Sequence, residues 1–185
     1  MLGCGEAGKS TFIKQMRIIH SAGFPEEEKK EQKKDIANNI ASAILTLLDK
    51  ATFAEESALT SRDDTSEAYD RVVSQIQMNR ETVNSDMVAK ATPQEIFELK
   101  DDIKALWESE EIQAVYERRN TFQIVECARY FLNKVEEVCA EEYVPNDQDM
   151  VQIRVRTTGN VSFMGWGLPF IYHDTITVDI QRDGA

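Results

Sequence analysis

Apolar residues recur at helical spacing through most of the chain. Phe12, Ile13, Met16 and Ile19 share one face after a glycine-rich start, and Gly23 with Pro25 predicts where that first helix ends. From Glu26 to about Phe53, Ile36, Ile40, Ile44 and Leu48 fall every four residues opposite Lys and Glu, which predicts one long amphipathic helix. The polar stretch 54–65 reads as a loop, and Tyr69, Val72, Val73 and Ile76 predict a shorter helix after it. Thr92-Pro93-Gln94-Glu95 has the spacing of a capping box with Pro at the first helical position. Ile96, Leu99, Ile103 and Leu106 are the buried stripe of the helix it starts. Ser109 with Ile112, Val115 and Tyr116 predicts the next helix, and Val125, Ala128, Leu132, Val135 and Cys139 one more. Residues 26–142 therefore predict an all-helical bundle. After Pro145 the period shortens: Val161 to Phe163 reads as extended, and Ile176, Val178 and Ile180 alternate with Thr175, Thr177 and Asp179 as strand residues do.

Charge follows the same division. The 185 residues carry 33 Asp and Glu against 21 Lys and Arg, a net charge of −12, and residues 21–150 hold 29 of those acids but only 15 of the bases. An acidic middle argues against non-specific binding to nucleic acid or an anionic membrane, both of which need clustered Lys and Arg. The slightly basic flanks are suited to an anion. No run approaches the ~18 apolar residues of a membrane span, and no basic-then-apolar leader opens the chain. Cys4, Cys127 and Cys139 are odd in number and lack metal-ligand spacing, so they predict neither a disulfide framework nor a zinc site and fit a reducing cytosol.

Chemistry enters at the start of the chain. Gly3-Cys4-Gly5-Glu6-Ala7-Gly8-Lys9-Ser10 matches GxxxxGK[ST] at each specified position. Glycines let such a loop turn successive amides inward, and those amides with the following helix N-terminus form an anion cradle. In that cradle Lys9 reaches the β- and γ-phosphates and the Ser10 hydroxyl ligates Mg²⁺. The competing explanation is a glycine-rich turn that happens to precede a helix, a coincidence expected about once in a hundred chains of this length.

The stretch from Leu2 through the phosphate loop to Thr11-Phe12-Ile13-Lys14-Gln15-Met16-Arg17-Ile18-Ile19-His20 resembles the phosphate loop and first helix of heterotrimeric G-protein α subunits. Further blocks resemble the same family in the same order. Leu106-Trp107 with Ile112-Gln113-Ala114-Val115-Tyr116-Glu117-Arg118-Arg119 is similar to a segment of its helical domain, and Tyr130-Phe131-Leu132-Asn133 to the next helix. Tyr143-Val144-Pro145-Asn146-Asp147-Gln148-Asp149 is similar to its return linker, and Arg154-Val155-Arg156-Thr157-Thr158-Gly159 to its first switch. The resemblance covers about residues 2–160.

It implies an α/β fold: a Ras-like P-loop GTPase domain, incomplete here, interrupted by an all-α insertion that makes the chain mostly helical. The implied divisions are 1–21 for the first Ras-like part, 22–149 for the helical insert and 150–185 for the second Ras-like part. The implied activity is hydrolysis of GTP to GDP and phosphate with Mg²⁺, in a molecular switch for G-protein-coupled receptor signalling. The implied partners are a receptor, the Gβγ dimer, effectors and GTPase-activating regulators, and the implied location is the cytoplasm at the inner face of the plasma membrane. Carried over residue by residue, Gly3, Gly5, Glu6, Ala7, Gly8, Lys9, Ser10 and Thr11 hold phosphates, while Ser10 and Thr157 ligate Mg²⁺. Glu126 and Cys127 contact the nucleotide from the insert, and Val151, Gln152, Ile153, Arg154, Val155, Arg156 and Thr157 line it. Arg154 takes the place of the built-in arginine finger; the family is itself a known instance of that chemistry, and the role comes to Arg154 through the resemblance alone. Its logic is that a guanidinium bridges oxygens that gain charge as the γ-phosphate leaves.

The chain departs from the family at several positions. Ala7 stands where Ser is usual, Glu126-Cys127 where an Asp-Ser pair is usual, and Gln152 where a linker Arg is usual. Asp179 matches the Asp that supports Mg²⁺, but two glycines that follow in the family are missing, so Gln181 falls two positions before the catalytic glutamine. The guanine-reading NKxD segment and the later base-contacting loop do not occur in the sequence. These departures lead to the expectation of a partial α subunit, impaired in turnover by itself, whose helical insert folds alone while the nucleotide-binding flanks are less stable. An alternative class takes the chain as a non-catalytic helical interaction module with a vestigial phosphate loop. A small P-loop kinase or ATPase has only the phosphate loop in its favour, since some 120 residues of helical pattern follow where such enzymes place strands.

Overall fold

A computed structural model describes residues 8–54, 63–77, 80–83, 86–89, 91–155, 162–163 and 172–173. The chain divides into two compact units, one of Met1–Phe24 with Val155–Ala185 and one of Pro25–Arg154.

Within the larger unit, α2 (Glu26–Glu31) and α3 (Lys33–Ala54) take the place of the single long helix that periodicity predicts. Glu26–Glu31 is charged throughout and buries nothing, and the first buried residue is Ile36, so packing holds α3 but not the turn before it. Ile36, Ile40, Ala43, Ile44, Leu47 and Leu48 on α3 are wholly buried and form the core on which the other helices pack. The following helix, α4 (Asp63–Gln77), buries Ala68, Val72 and Ile76. It is tied to α6 (Lys100–Glu108) by a bidentate pair in which the Arg71 guanidinium donates to both Asp102 oxygens at 2.9 and 2.6 Å.

The all-helical expectation for 26–142 needs a correction: β1 (Arg80–Val83) and β2 (Asp86–Ala89) form a short antiparallel hairpin pairing Arg80 with Ala89 and Val83 with Asp86. Asn38 Oδ1 accepts the Ala91 amide at 2.8 Å, which fixes the chain where it leaves the hairpin. The capping box at Thr92 forms as its spacing predicts: the Glu95 amide donates to the Thr92 hydroxyl, and the Thr92 amide donates to the Glu95 carboxylate.

The helix it starts is broken at Leu99 into α5 (Pro93–Glu98) and α6, with Ile96, Leu99, Ile103 and Leu106 all buried. Ser109 caps α7 (Glu110–Glu117). The last predicted helix is likewise two short ones, α8 (Ala128–Leu132) and α9 (Val135–Val138). Between them Asn133 and Lys134 turn their side chains to partners: Asn133 accepts the Trp107 indole N–H at 2.7 Å, and Lys134 donates to Asp149 at 2.8 Å. A further helix absent from the sequence-based expectation, α10 (Asp147–Gln152), starts at an Asn146–Asp149 capping box.

The smaller unit contains α1 (Lys9–His20), which has no buried residue; Phe12 and Ile19 are 48% and 67% exposed. Gly23 has φ +74 and turns the chain after the helix, and the Arg17 guanidinium lies 4.6 Å from the centroid of the Phe24 ring. Ser162–Phe163 and Tyr172–His173 pair as an antiparallel hairpin, β3 and β4. The predicted alternation at 175–180 lies outside the described residues. Among the described residues, no helix is long and apolar enough to cross a membrane.

Candidate functional site

The described part of the phosphate-loop motif is the start of α1. Gly8 is its N-cap residue with φ +71, and its carbonyl accepts the Phe12 amide at 2.9 Å, closing the first turn. Left-handed backbone of this kind favours glycine, and a Cβ built at Gly8 would meet nothing within 4 Å. Among the described residues the constraint at this position is therefore backbone conformation. Gly8 brings no capping side chain to the start of α1, and the helix dipole at this end favours an anion. Lys9 and Ser10 in that turn are half-buried and Thr11 is exposed. The Ser10 hydroxyl at this helix start is an oxygen ligand of the kind Mg²⁺ takes alongside phosphate oxygens, and the other candidate ligand, Thr157, lies outside the described residues. Gly3, Gly5, Glu6 and Ala7 lie outside the described residues, as do Arg156, Thr157, Asp179 and Gln181. Among the described residues no group of three or more His, Cys, Asp or Glu gathers as a metal site by itself.

The second set of candidates lies in the larger unit, with Val155 just beyond its end. Capped by Asn146, α10 ends at Ile153, and the run Met150, Val151, Ile153 is buried, so the segment that delivers Arg154 is anchored by its own apolar residues. Gln152 is half-buried, while Arg154 and Val155 are exposed.

Asp149 anchors the helix from the polar side. It is 0% exposed, and its Oδ1 accepts from Tyr130 at 2.7 Å and Lys134 at 2.8 Å, while its Oδ2 accepts from Tyr143 and the Asn146 amide at 2.9 and 2.8 Å. Burial would raise this carboxyl; the bonds from Lys134, Tyr130, Asn146 and Tyr143 outweigh it and hold the group below its ordinary value. The phenols respond in the opposite sense. Burial and the bond to Asp149 push Tyr130 up to about 12, and Tyr143 is raised by the same causes.

Cys127 and Glu126 sit just before α8. Glu126 is exposed, whereas Cys127 is 2% exposed and its thiol donates to Asn39 Oδ1 at 2.9 Å. Burial pushes the thiol up to about 11, against the opposing influence of the Arg154 backbone bond and the Arg154 charge. The structure thus brings Cys127 and Arg154 together through Asn39, a residue that belongs to none of the motifs above. Its signal was available: Asn39 falls three residues after Ile36 and four before Ala43, on the face of α3 where helical spacing calls for an apolar side chain.

Residues 1–165 match the family described as G-protein alpha subunit. Over 165 residues the chain is 36% identical to the guanine nucleotide-binding protein G(olf) subunit alpha of Homo sapiens. Over 160 residues it is 39% identical to the G(s) subunit alpha of Homarus americanus and 37% identical to that of Drosophila pseudoobscura pseudoobscura. These matches cover 86% of this chain and 38% or 39% of the relatives, so the chain spans about two-fifths of their length. The chain belongs to the G-protein alpha subunit family.

Proposed function

We propose that the chain binds a guanine nucleotide with Mg²⁺ and contributes the phosphate-binding start, helical domain and arginine of a GTP-hydrolysing signalling switch. The observation that carries this reading is the glycine-capped start of α1, inside a complete phosphate-loop motif and followed at once by Lys9 and Ser10. First-turn amides would hold phosphate oxygens and Lys9 would add a point charge at the β- and γ-phosphates. Ser10 and Thr157 would hold Mg²⁺, which when bound neutralises charge on the phosphate oxygens. The Arg154 guanidinium would take up charge that develops on the γ-phosphate, and Gln181 and Asp179 are the candidates for orienting water and supporting the metal. By the same resemblance Glu126 and Cys127 of the insert, and residues 151–157 after it, would be further nucleotide contacts.

In this reading 1–21 and 150–185 are parts of a Ras-like α/β domain and 22–149 is its helical insertion. The partners would be those of the family: a G-protein-coupled receptor, the Gβγ dimer, effectors and GTPase-activating regulators, met at the cytoplasmic face of the plasma membrane. The test is equilibrium binding of a fluorescent GDP analogue with and without Mg²⁺, competed by GTP and by ATP. Lys9→Ala is expected to lose about 10- to 100-fold in affinity, the worth of one charge-assisted phosphate contact. Unchanged affinity in that variant would refute the assignment. Equal displacement by ATP and GTP would point instead to a vestigial loop on an interaction module.

A further inference from the structure

We infer that Asn39 is the positioning residue for Arg154, holding both the N–H and the C=O of its backbone so that the guanidinium extends from a fixed point; the catalytic consequence rests on the role proposed for Arg154 above. Among the described residues, Asn39 and Asp149 are the two buried polar or charged side chains, and Asn39 is 6% exposed amid the apolar face of α3. An amide has two donor hydrogens and two acceptor lone pairs, and a buried one is costly unless they are used. Here each is used. Nδ2 donates to the Asp35 carbonyl, one turn back on α3, and to the Arg154 carbonyl at 3.0 Å. Oδ1 accepts the Cys127 thiol at 2.9 Å and the Arg154 amide at 3.3 Å.

Two of the four bonds therefore go to the N–H and the C=O of one residue, 115 positions away in sequence. A single bond would leave the Arg154 backbone free to rotate about it; a donor and an acceptor engaged together fix both its place and the orientation of its flanking peptides. The bond to Asp35 and the bond from Cys127 hold the amide itself, so that the clamp has a set direction. An exposed arginine next to the end of a compact unit would otherwise have a wandering Cα, and a charge meant for one phosphate position loses most of its effect when misplaced by about 1 Å. Asn39 touches no reacting atom in this account and acts only through Arg154.

The test combines amide hydrogen exchange at Arg154 with single-turnover GTP hydrolysis, in the unmodified protein, Asn39→Ala, Arg154→Ala and the double variant. Asn39→Ala is expected to speed Arg154 amide exchange at least tenfold and slow hydrolysis about 10- to 100-fold, with nucleotide affinity changed less than threefold. In the Arg154→Ala background the same substitution should leave the hydrolysis rate unchanged, because the clamped side chain is already gone. A merely structural role would slow hydrolysis by the same factor in both backgrounds, or lower stability without touching the rate, and either result overturns the proposal. Should Asn39→Ala fail to fold, Asn39→Ser carries the same expectations: its hydroxyl bonds back to α3 but is too short to span Arg154. Unchanged exchange at Arg154 in either variant overturns the clamp itself. A protein whose hydrolysis is absent, or indifferent to Arg154→Ala, overturns the catalytic role of Arg154 and with it the catalytic consequence, while exchange still decides whether Asn39 holds the backbone.

Discussion

The helical unit caps three of its described helix starts with a side chain and leaves α2, α6, α8 and α9 without one, whereas the other unit starts its described helix at a glycine. In the helical unit, α5, α7 and α10 each begin at a side-chain cap from Thr92, Ser109 or Asn146, so amides left over at those helix ends are answered by the protein itself. In the other unit, α1 begins at Gly8 with φ +71 and no capping side chain. Packing differs in the same sense. The helix α3 buries a run of Ile, Leu and Ala, whereas α1 buries none of its residues. A helix end answered by its own side chain is a structural device, and one left to its glycine is suited to an outside anion. The difference separates a part of the chain held by its own buried contacts from a helix that buries none of its residues, the one to which the proposed function assigns the phosphates.

The largest expected effect tests the packing half of that contrast. Phe131 on α8 is 1% exposed, and Phe131→Ala should destabilise the helical unit by about 3–5 kcal/mol, the usual cost of removing a buried phenyl group. Phe12 on α1 is a chemically equal residue at 48% exposure, and Phe12→Ala should stay within about 0.5 kcal/mol. Urea unfolding of the two variants followed by circular dichroism measures both. Similar shifts in midpoint would show that α1 is buried to a degree its described surroundings do not provide.

Next in size is the anchor under α10. Asp149→Asn keeps the shape and removes the charge that Lys134 and two tyrosines face, and should cost about 3 kcal/mol at neutral pH. Its pH dependence has a definite sign. Because the folded-state carboxyl lies below its ordinary value, its stabilisation is fully present above the unfolded value of about 4 and is lost as pH falls through the lower folded one. The stability gap between the unmodified protein and Asp149→Asn should therefore be constant from pH 7 to 5 and shrink below about pH 4. Thermal melts across that range measure it, and a gap that stays constant to pH 2 would mean that Asp149 is not held ionised by these partners.

Legibility in the sequence follows the same line between local and long-range causes. The Thr92 and Ser109 caps, the stripe from Ile96 to Leu106 and the buried face of α3 are local patterns, and each formed where its spacing indicated. The breaks at Leu99 and Asn133-Lys134 interrupt no periodicity, since buried residues continue across them, whereas the break at Gln32 falls before the first buried residue of α3. At Asn133-Lys134 the cause lies in partners distant in sequence, Trp107 and Asp149. The hairpin at 80–89 has neither strict alternation nor a turn dipeptide to announce it. The α10 helix was legible in Asn146-Asp147-Gln148-Asp149, a capping-box spacing masked by the segment's likeness to a linker. The blocks that carried the family resemblance meet one another in space: the Trp107 indole reaches Asn133, and Tyr130 and Tyr143 both reach Asp149. Spacing alone does not reveal such meetings. Asn39 shows the limit most clearly, because its oddness was visible on the α3 face but its partner lies 115 residues away.

The smallest effects probe the helix starts directly. Thr92→Ala removes the hydroxyl that accepts the Glu95 amide and should lower the stability of the helical unit by about 1 kcal/mol, the common worth of an N-cap. Nucleotide affinity should not move, because that cap serves only its own helix. Gly8→Ala is the counterpart on α1. None of the described residues stands within 4 Å of the new methyl group, so the substitution carries the strain of an L-residue at φ +71, about 1 kcal/mol. That strain bears on the helix start itself: relaxing φ toward negative values turns the first-turn amides away from the direction Gly8 gives them. Gly8→Ala should therefore leave the melting of the helical unit unchanged and weaken nucleotide binding several-fold, whereas Thr92→Ala should do the reverse. Paired melting and binding measurements on the two variants separate a cap made for stability from one left open for a ligand. If Gly8→Ala bound nucleotide as the unmodified protein does, the positive φ at Gly8 would be a feature of the turn alone and the contrast between the two units would reduce to packing.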